Sequence, residues 1–335
     1  MSPLIAMAVQ MIQQAQAAAQ AQAQQEGAPA PGAHIAVRGV SFHPPGAERP
    51  LLRDVTFDLR PNQLGLVLGR SGSGKTTLLQ LLAGLTDQTS GQVYIGRAGA
   101  GGAAAAAGAS GGSNSSSSNG GGPAPPLDAP AAAIEDRMRQ VGLVFQFPER
   151  HFIGGDLLSE LTFGWPRGTG PEAWAERAAL SARLDGVARA VGLDSVPLQR
   201  APTALSGGQQ RKVALAIQLA RRPALLLLDE PLAGLDWKAR QEVVALLRQL
   251  KKECTLLVVS HDLREVAPLV DVAWRMRPGG RLEAVAWPPP EAAMAAGEGG
   301  GAALQAWEEA QLGLSGGSGS TSGGGSGSSS GGEEE

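Results

Sequence analysis

Four apolar runs of about five residues punctuate the chain, each followed at once by glycine or by polar residues. They are LGLVL (64–68), the run inside VGLVFQ that stops at Gln146, the leucines of PALLLLDEP (223–231), and the apolar part of TLLVVSHDL (255–263). Strands with one wet face alternate apolar and polar positions; continuous runs like these predict parallel strands buried on both faces. Two other stretches have helical spacing, one from about Gly74 to Leu85 and one within LSGGQQRKVALAIQLA (205–220). A strand, a glycine loop and a helix in immediate succession form an α/β unit, and open α/β sheets gather ligands at the carboxyl ends of their strands.

Three stretches carry no such pattern. A Gln/Ala-rich head (1–33), a Gly/Ala/Ser insertion (about 98–130) and a Gly/Ser tail (291–335) cannot bury enough apolar surface to offset their ordering entropy, and flexibility is expected for all three. The remaining core of roughly 220 residues makes one domain spanning 34–290. No run of 18 or more apolar residues exists, so no membrane-spanning helix is expected. The net charge of −3 offers no electrostatic footprint for nucleic acid. The single cysteine, Cys254, excludes an intrachain disulfide and a cysteine metal cluster. The first 37 residues hold one charged residue, Glu26, and resemble neither a secretory signal nor an Arg-rich transit peptide.

Chemistry concentrates where the apolar runs end. GRSGSGKTT (69–77) fits the G-x-x-x-x-G-K-[ST] phosphate loop between a strand and a helix. Gly69, Gly72 and Gly74 let the backbone wrap a β-phosphate together with Arg70, Ser71 and Ser73. Lys75 reaches the β- and γ-phosphates, the Thr76 hydroxyl is placed to ligate Mg²⁺, and Thr77 follows it. Asp229 and Glu230 close the LLLL strand; Asp229 would hold Mg²⁺ and Glu230 would act as general base on the attacking water. Away from a phosphate loop, such a pair of acids is an ordinary solvated turn. Gln146 ends another strand, where an amide can ligate Mg²⁺ and orient water. His261, just past a third, is placed to contact a γ-phosphate, although a lone histidine there also suits a structural role.

A second helix start with the makings of a phosphate site lies more than a hundred residues later. Ser206, Gly207, Gly208 and Gln209 offer a hydroxyl and free N–H groups ahead of an amphipathic run. A plain Ser-capped helix start would read the same way in isolation.

Taken together, GRSGSGKTT, Gln146, LSGGQ, LLLLDEP, AGLD (233–236) and His261 resemble the ATP-binding cassette (ABC) ATPases across essentially the whole ordered core. The resemblance implies a P-loop NTPase fold of ABC type: a mixed, largely parallel sheet with an N-terminal antiparallel β portion and an inserted helical subdomain at about 148–204. It implies ATP and Mg²⁺, and a second ABC subunit packed head to tail, in a homo- or heterodimer, so that the signature of one chain closes over the ATP of the other. Asp236 resembles the aspartate that links the two sites. The segment VGLVFQFPERHFIGGDLLSELTFG is similar to energy-coupling factor and cobalt/nickel-type ATPases, and FGWP, GLDSVPL, EPLAGLDWKAR and VVSHDLRE are similar to plastid members of the plant I subfamily.

These likenesses imply a subunit that powers a separate integral membrane importer, peripheral to a chloroplast membrane, or to the cytoplasmic face if bacterial-like, with transition-metal homeostasis as the theme. A soluble ATPase for iron–sulfur scaffold work and a non-hydrolysing nucleotide-gated scaffold are the alternatives. In one place the chain departs from the family: VSFHPPGAERPLLRDV puts Pro44 where an adenine-stacking aromatic is usual, leaving Phe42 or His43 as substitutes. Finally, FPERHF (147–152) reads either as packing between subdomain and sheet or as a groove for a partner's coupling helix, with Glu149 and Arg150 setting its register.

Overall fold

A computed structural model describes residues 32–97, 133–260 and 265–287. The expected flexible head, insertion and tail fall almost wholly outside these residues, and so does His261.

An antiparallel sheet of three strands opens the domain. Its central strand β1 (Ala33–Phe42) pairs with β2 (Leu52–Leu59) on one side and β4 (Ser90–Arg97) on the other. The main sheet has six strands in the order β5-β6-β7-β3-β8-β9, built from β3 (Leu64–Gly69), β5 (Val141–Val144), β6 (Leu225–Asp229), β7 (Thr255–Val259), β8 (Val272–Met276) and β9 (Leu282–Val285). Every pair is parallel except β8 with β9. The mixed, largely parallel sheet with an antiparallel N-terminal portion is therefore present as the sequence implied.

The continuous apolar runs are explained by which core each residue enters. Leu64, Leu66, Leu68, Leu226, Leu228, Leu256 and Val258 point into one cluster. Their neighbours Val67, Leu225, Leu227, Leu257 and Val259 point into the other. Both faces of the sheet are thus dry at its centre, across β6, β7 and β3, and alternate residues there serve opposite cores. Helix α1 (Lys75–Leu82) fills the space between the two sheets with Leu78, Leu79, Leu81 and Leu82, all 0% exposed. At about 1.5–3 kcal/mol per fully buried side chain, these four leucines fasten the phosphate loop to the body of the domain. The helix stops at Leu82 rather than Leu85 because Gly84, at φ 76, closes it: Leu85 N–H donates to Gln80 O (2.9 Å) and Gly84 N–H to Leu81 O (3.1 Å).

The inserted helical part lies between β5 and α5 (Gly207–Leu219). After the short α2 (Ile134–Gln140) and β5, it contains a 3-10 turn at Pro148–Arg150, α3 (Leu157–Leu161), the long α4 (Pro171–Ala190) and a second 3-10 turn at Pro202–Ala204. Asp156 caps α3 by accepting the Ser159 N–H (2.8 Å), and the N–H groups of Leu157 and Leu158 donate to Arg200 O and Leu198 O, both at 3.0 Å. The helix start is so joined to the returning chain. Helix α6 (Trp237–Leu250) packs Val243, Val244, Leu246, Leu247 and Leu250 against the first core.

Candidate functional site

The register of the main sheet brings four strand ends together. Asp229 is paired with Val259, and Val67 with Val259 on its other side, so the end of β6 lies one strand away from the loop that follows β3. That loop turns back through Gly72 and Gly74, at φ 76 and 100. At position 74 a side chain would be strained by that φ and would also bring its Cβ within 2.8 Å of Leu52 Cδ2. The turn delivers Lys75 and Thr76 to the first turn of α1.

Lys75 Nζ donates to the carbonyls of Gly69 (2.8 Å) and Arg70 (2.9 Å). Burial lowers its pKa, opposed by the negative charges of Glu230 and Asp229. The Thr76 hydroxyl donates to Asp229 Oδ2 at 2.7 Å. Asp229 is 5% exposed and its pKa is raised, mainly by burial; the Thr76 hydrogen bond pulls it down and Glu230 pushes it up. Glu230 has a left-handed φ of 46, uncommon for a residue with a side chain, and its N–H is held by Val259 O at 2.8 Å.

These groups surround a cleft of about 570 Å³. Gly69, Arg70, Ser71, Gly72, Gly74, Lys75, Thr76 and Thr77 line one side of it, and Gln146, Asp229, Glu230 and Leu51 complete it. Among the loop positions expected to bind nucleotide, Ser73 stands apart: it is buried, and its N–H donates to Arg70 O at 3.2 Å. Neither Phe42 nor His43 lines the cleft. Phe42 packs on the core between the sheets, and His43 Nε2 is hydrogen-bonded to Ala47 O at 2.6 Å. Leu51 is the apolar side chain at that edge.

Ser206, Gly207, Gly208, Gln209 and Asp236 do not line this cleft. Ser206 and Gln209 form a capping box at the start of α5: Ser206 Oγ accepts the Gln209 N–H (3.3 Å) and Gln209 Oε1 accepts the Ser206 N–H (3.1 Å). The plain helix-cap reading is thus true of their geometry, and the hydroxyl hydrogen of Ser206 is still available to an acceptor. Asp236 caps α6 through the Ala239 N–H (2.8 Å). A Cβ at Gly208 would stand 3.0 Å from Ala239 Cβ, so the glycine lets the two helix starts lie side by side. Ser206, Gly207 and Asp236 are all exposed there.

One residue escaped the sequence reading. Arg211, one turn into α5, is 4% exposed; its Nη1 donates to Phe145 O (3.0 Å) and its Nη2 to Ala233 O (3.3 Å). Its position three and four residues before the buried Ala214 and Leu215 was the available signal of an inward-facing cation.

Among the described residues no group of three or more His, Cys, Asp or Glu is arranged to hold a metal, and no helix is long and apolar enough to cross a membrane.

Comparisons with known proteins agree with this architecture. The ABC transporter family pattern matches residues 52–233. The chain is 50% identical over 252 residues to ABC transporter I family member 11, chloroplastic, of Arabidopsis thaliana, covering 75% of this chain and 80% of that protein. It is 30% identical over 240 residues to the energy-coupling factor transporter ATP-binding protein EcfA2 of Caldanaerobacter subterraneus subsp. tengcongensis, covering 71% and 72%. Among solved structures, CbiO1 of Clostridium perfringens, described as part of the ABC transporter complex cbiONQ, superposes with a TM-score of 0.55 at 24% identity over 74% of this chain and 86% of its own. The dimeric cassette MJ0796 bound to ADP and Pi gives 0.52 at 24% over 74% and 96%; at such identities the likeness speaks for the fold alone. A phosphate loop, two acids and a glutamine converging on one cleft, in a chain half identical to a plant ABC transporter protein, have a single family in common, and the chain belongs to it: this is an ABC-type ATPase, the ATP-binding and ATP-hydrolysing subunit of an ABC transporter.

Proposed function

We propose that this chain works as a head-to-tail dimer on a plastid membrane, where ATP binding and hydrolysis drive a separate integral membrane subunit. The observation that carries the dimer is that Ser206 and Gly207 are exposed at a helix start outside the cleft of their own chain. A second copy turned end to end would place them over its partner's nucleotide, with Asp236 beside them. ATP then joins the protomers, and hydrolysis releases them.

The cleft has the donors for its ligands. Thr76, Asp229 and Gln146 present hydroxyl, carboxylate and amide oxygens, the hard set that suits Mg²⁺. Bound with the nucleotide, the ion would neutralise charge on the β- and γ-phosphates. Lys75 and the N–H groups of the loop other than that of Ser73 hold the phosphate chain. Gln146 orients the water, and Glu230 accepts its proton as the water oxygen attacks the γ-phosphorus and ADP departs. His261 is assigned to the γ-phosphate on the resemblance alone.

The plastid setting rests on the chloroplastic relative, and a transport role on that relative and on the energy-coupling factor proteins. Transition-metal homeostasis is part of the proposal and rests on the sequence resemblance to the plastid I-subfamily member and to cobalt/nickel-type ATPases alone. The test is a Glu230→Gln chain incubated with Mg-ATP and a detergent extract of the source membranes. Recovery of a dimer with one integral membrane protein, lost in Lys75→Ala, is the expected result. A monomer by light scattering under saturating ATP would overturn the dimer, and a dimer recovered without an integral protein would overturn the transport role.

A further inference from the structure

We infer that Arg211 is a positioning residue that couples the signature end of α5 to the nucleotide cleft of its own chain, an inference that rests on the dimer proposed above. Its guanidinium holds two backbone segments at once. Phe145 O, which accepts Nη1, immediately precedes Gln146 of the cleft. Ala233 O, which accepts Nη2, belongs to the turn that Glu230 begins, since Ala233 N–H donates back to Glu230 O at 3.1 Å. One fork therefore grips the backbone beside the water-orienting amide and beside the general base. The same turn continues to Asp236.

A cation this buried is an expensive way to fill space, because burying a charge is repaid only by charged partners and well-made hydrogen bonds. The fields of Glu149, Asp229 and Glu230 favour it, and the two carbonyls fix its plane. An apolar side chain would serve packing at lower cost. What the guanidinium adds is a rigid fork with donors in two fixed directions, which a lysine ammonium does not have. It lies four positions after Gly207 in the same helix, so α5 carries the signature and the fork as one body. When Ser206 meets the partner's nucleotide, any shift of the α5 start reaches Gln146 and the 230–236 turn through this grip. Each nucleotide thereby reports its presence to the other site.

A mutant cycle tests this against a mere brace. Single-turnover ATP hydrolysis is measured for wild type, Arg211→Lys, Ser206→Arg and the double variant, with fluorescent-nucleotide binding and melting temperature alongside. Arg211→Lys should bind nucleotide within about 3-fold of wild type, yet hydrolyse it about 10–100-fold more slowly, the scale of a misplaced reacting group. In the Ser206→Arg background, where signals from the partner are already cut, the same change should cost less than about 2-fold. Equal losses in both backgrounds, unchanged hydrolysis in Arg211→Lys, or parallel loss of binding would each overturn the coupling. Arg211→Gln, which keeps two amide donors, is read through the same cycle if the lysine variant does not fold. Failure of the dimer itself would show separately, as Ser206→Arg hydrolysing like wild type.

Discussion

The Thr76 hydroxyl donates to Asp229 Oδ2 at 2.7 Å, joining residues 153 positions apart: one on the helix that follows β3, the other at the end of β6, a strand not adjacent to β3 in the sheet. The bond holds the start of α1 against the end of β6 and brings a hydroxyl and a carboxylate oxygen together in the cleft. Its energetic setting is unfavourable, because Asp229 is buried and its pKa is raised for that reason first. The native state holds the Asp229 proton more tightly than the unfolded chain does. Stability from this group is therefore full below the ordinary carboxylate pKa and lost as pH rises through the folded value. Asp229→Asn keeps an oxygen for Thr76 and removes the buried charge. It should raise the melting temperature of the nucleotide-free protein at pH 7 by roughly 2–4 °C, with the gain vanishing toward pH 4, while Mg²⁺-dependent hydrolysis collapses. Calorimetry across pH checks it, and a lower melting temperature at pH 7 would contradict it.

Glu230→Gln should keep nucleotide binding and slow hydrolysis by about 10²–10⁴-fold, the usual worth of a positioned base. The backbone supports this division of labour, since the N–H of Glu230 is held by Val259 O independently of its side chain. Equilibrium binding and steady-state phosphate release together decide it. Wild-type turnover in the variant would remove Glu230 from the role of base.

Nucleobase selectivity should be weak. With Pro44 in the usual stacking place, Phe42 packed in the core and His43 bound to its own turn, the edge of the cleft offers the base Leu51, an apolar contact that does not distinguish purines by hydrogen bonding. Hydrolysis of ATP and GTP should differ in kcat/KM by less than about 10-fold, one increment of 1.4 kcal/mol. A hundredfold preference for ATP would show that another group reads the base.

What was legible in the sequence was what local chemistry dictates. The phosphate loop needs its glycines, Lys75 and Thr76 contiguous, and the double burial of β3, β6 and β7 writes itself as uninterrupted apolar runs. The stop of α1 is written locally as well, in Gly84 at φ 76. Arg211 was not legible in the same way. Its partners Phe145 and Ala233 lie 66 and 22 residues away, and nothing local specifies that a cation on α5 meets both. The split within FPERHF is of the same kind: Phe152 packs against the core while Phe147 is 39% exposed, a distinction set by how the segment lies on the domain.

That split bears on the second reading of the segment, a groove for a partner's coupling helix. The segment after Gln146 is braced from within: His151 stacks on Phe145 with ring centroids 4.3 Å apart, and the buried Glu160 carboxylate accepts the N–H groups of Ile153 and Gly154. On this braced frame Phe147, with the Arg150 guanidinium 4.6 Å from its ring centroid, and Ile153, 72% exposed, face outward. Glu149 is a poor place to test docking, because its charge also favours the buried Arg211. The better variant is Phe147→Ser with Ile153→Ser. Neither change touches the core, and exposed substitutions usually alter stability by no more than about 0.5 kcal/mol each. ATP hydrolysis by the purified chain should stay within about 2-fold of wild type and the melting temperature within about 2–4 °C, while recovery of the integral membrane protein with the ATP-trapped dimer is lost. If a partner helix seats in this segment, its apolar face must lose its counterpart when both side chains become polar. Undiminished recovery would move the docking surface elsewhere on the domain.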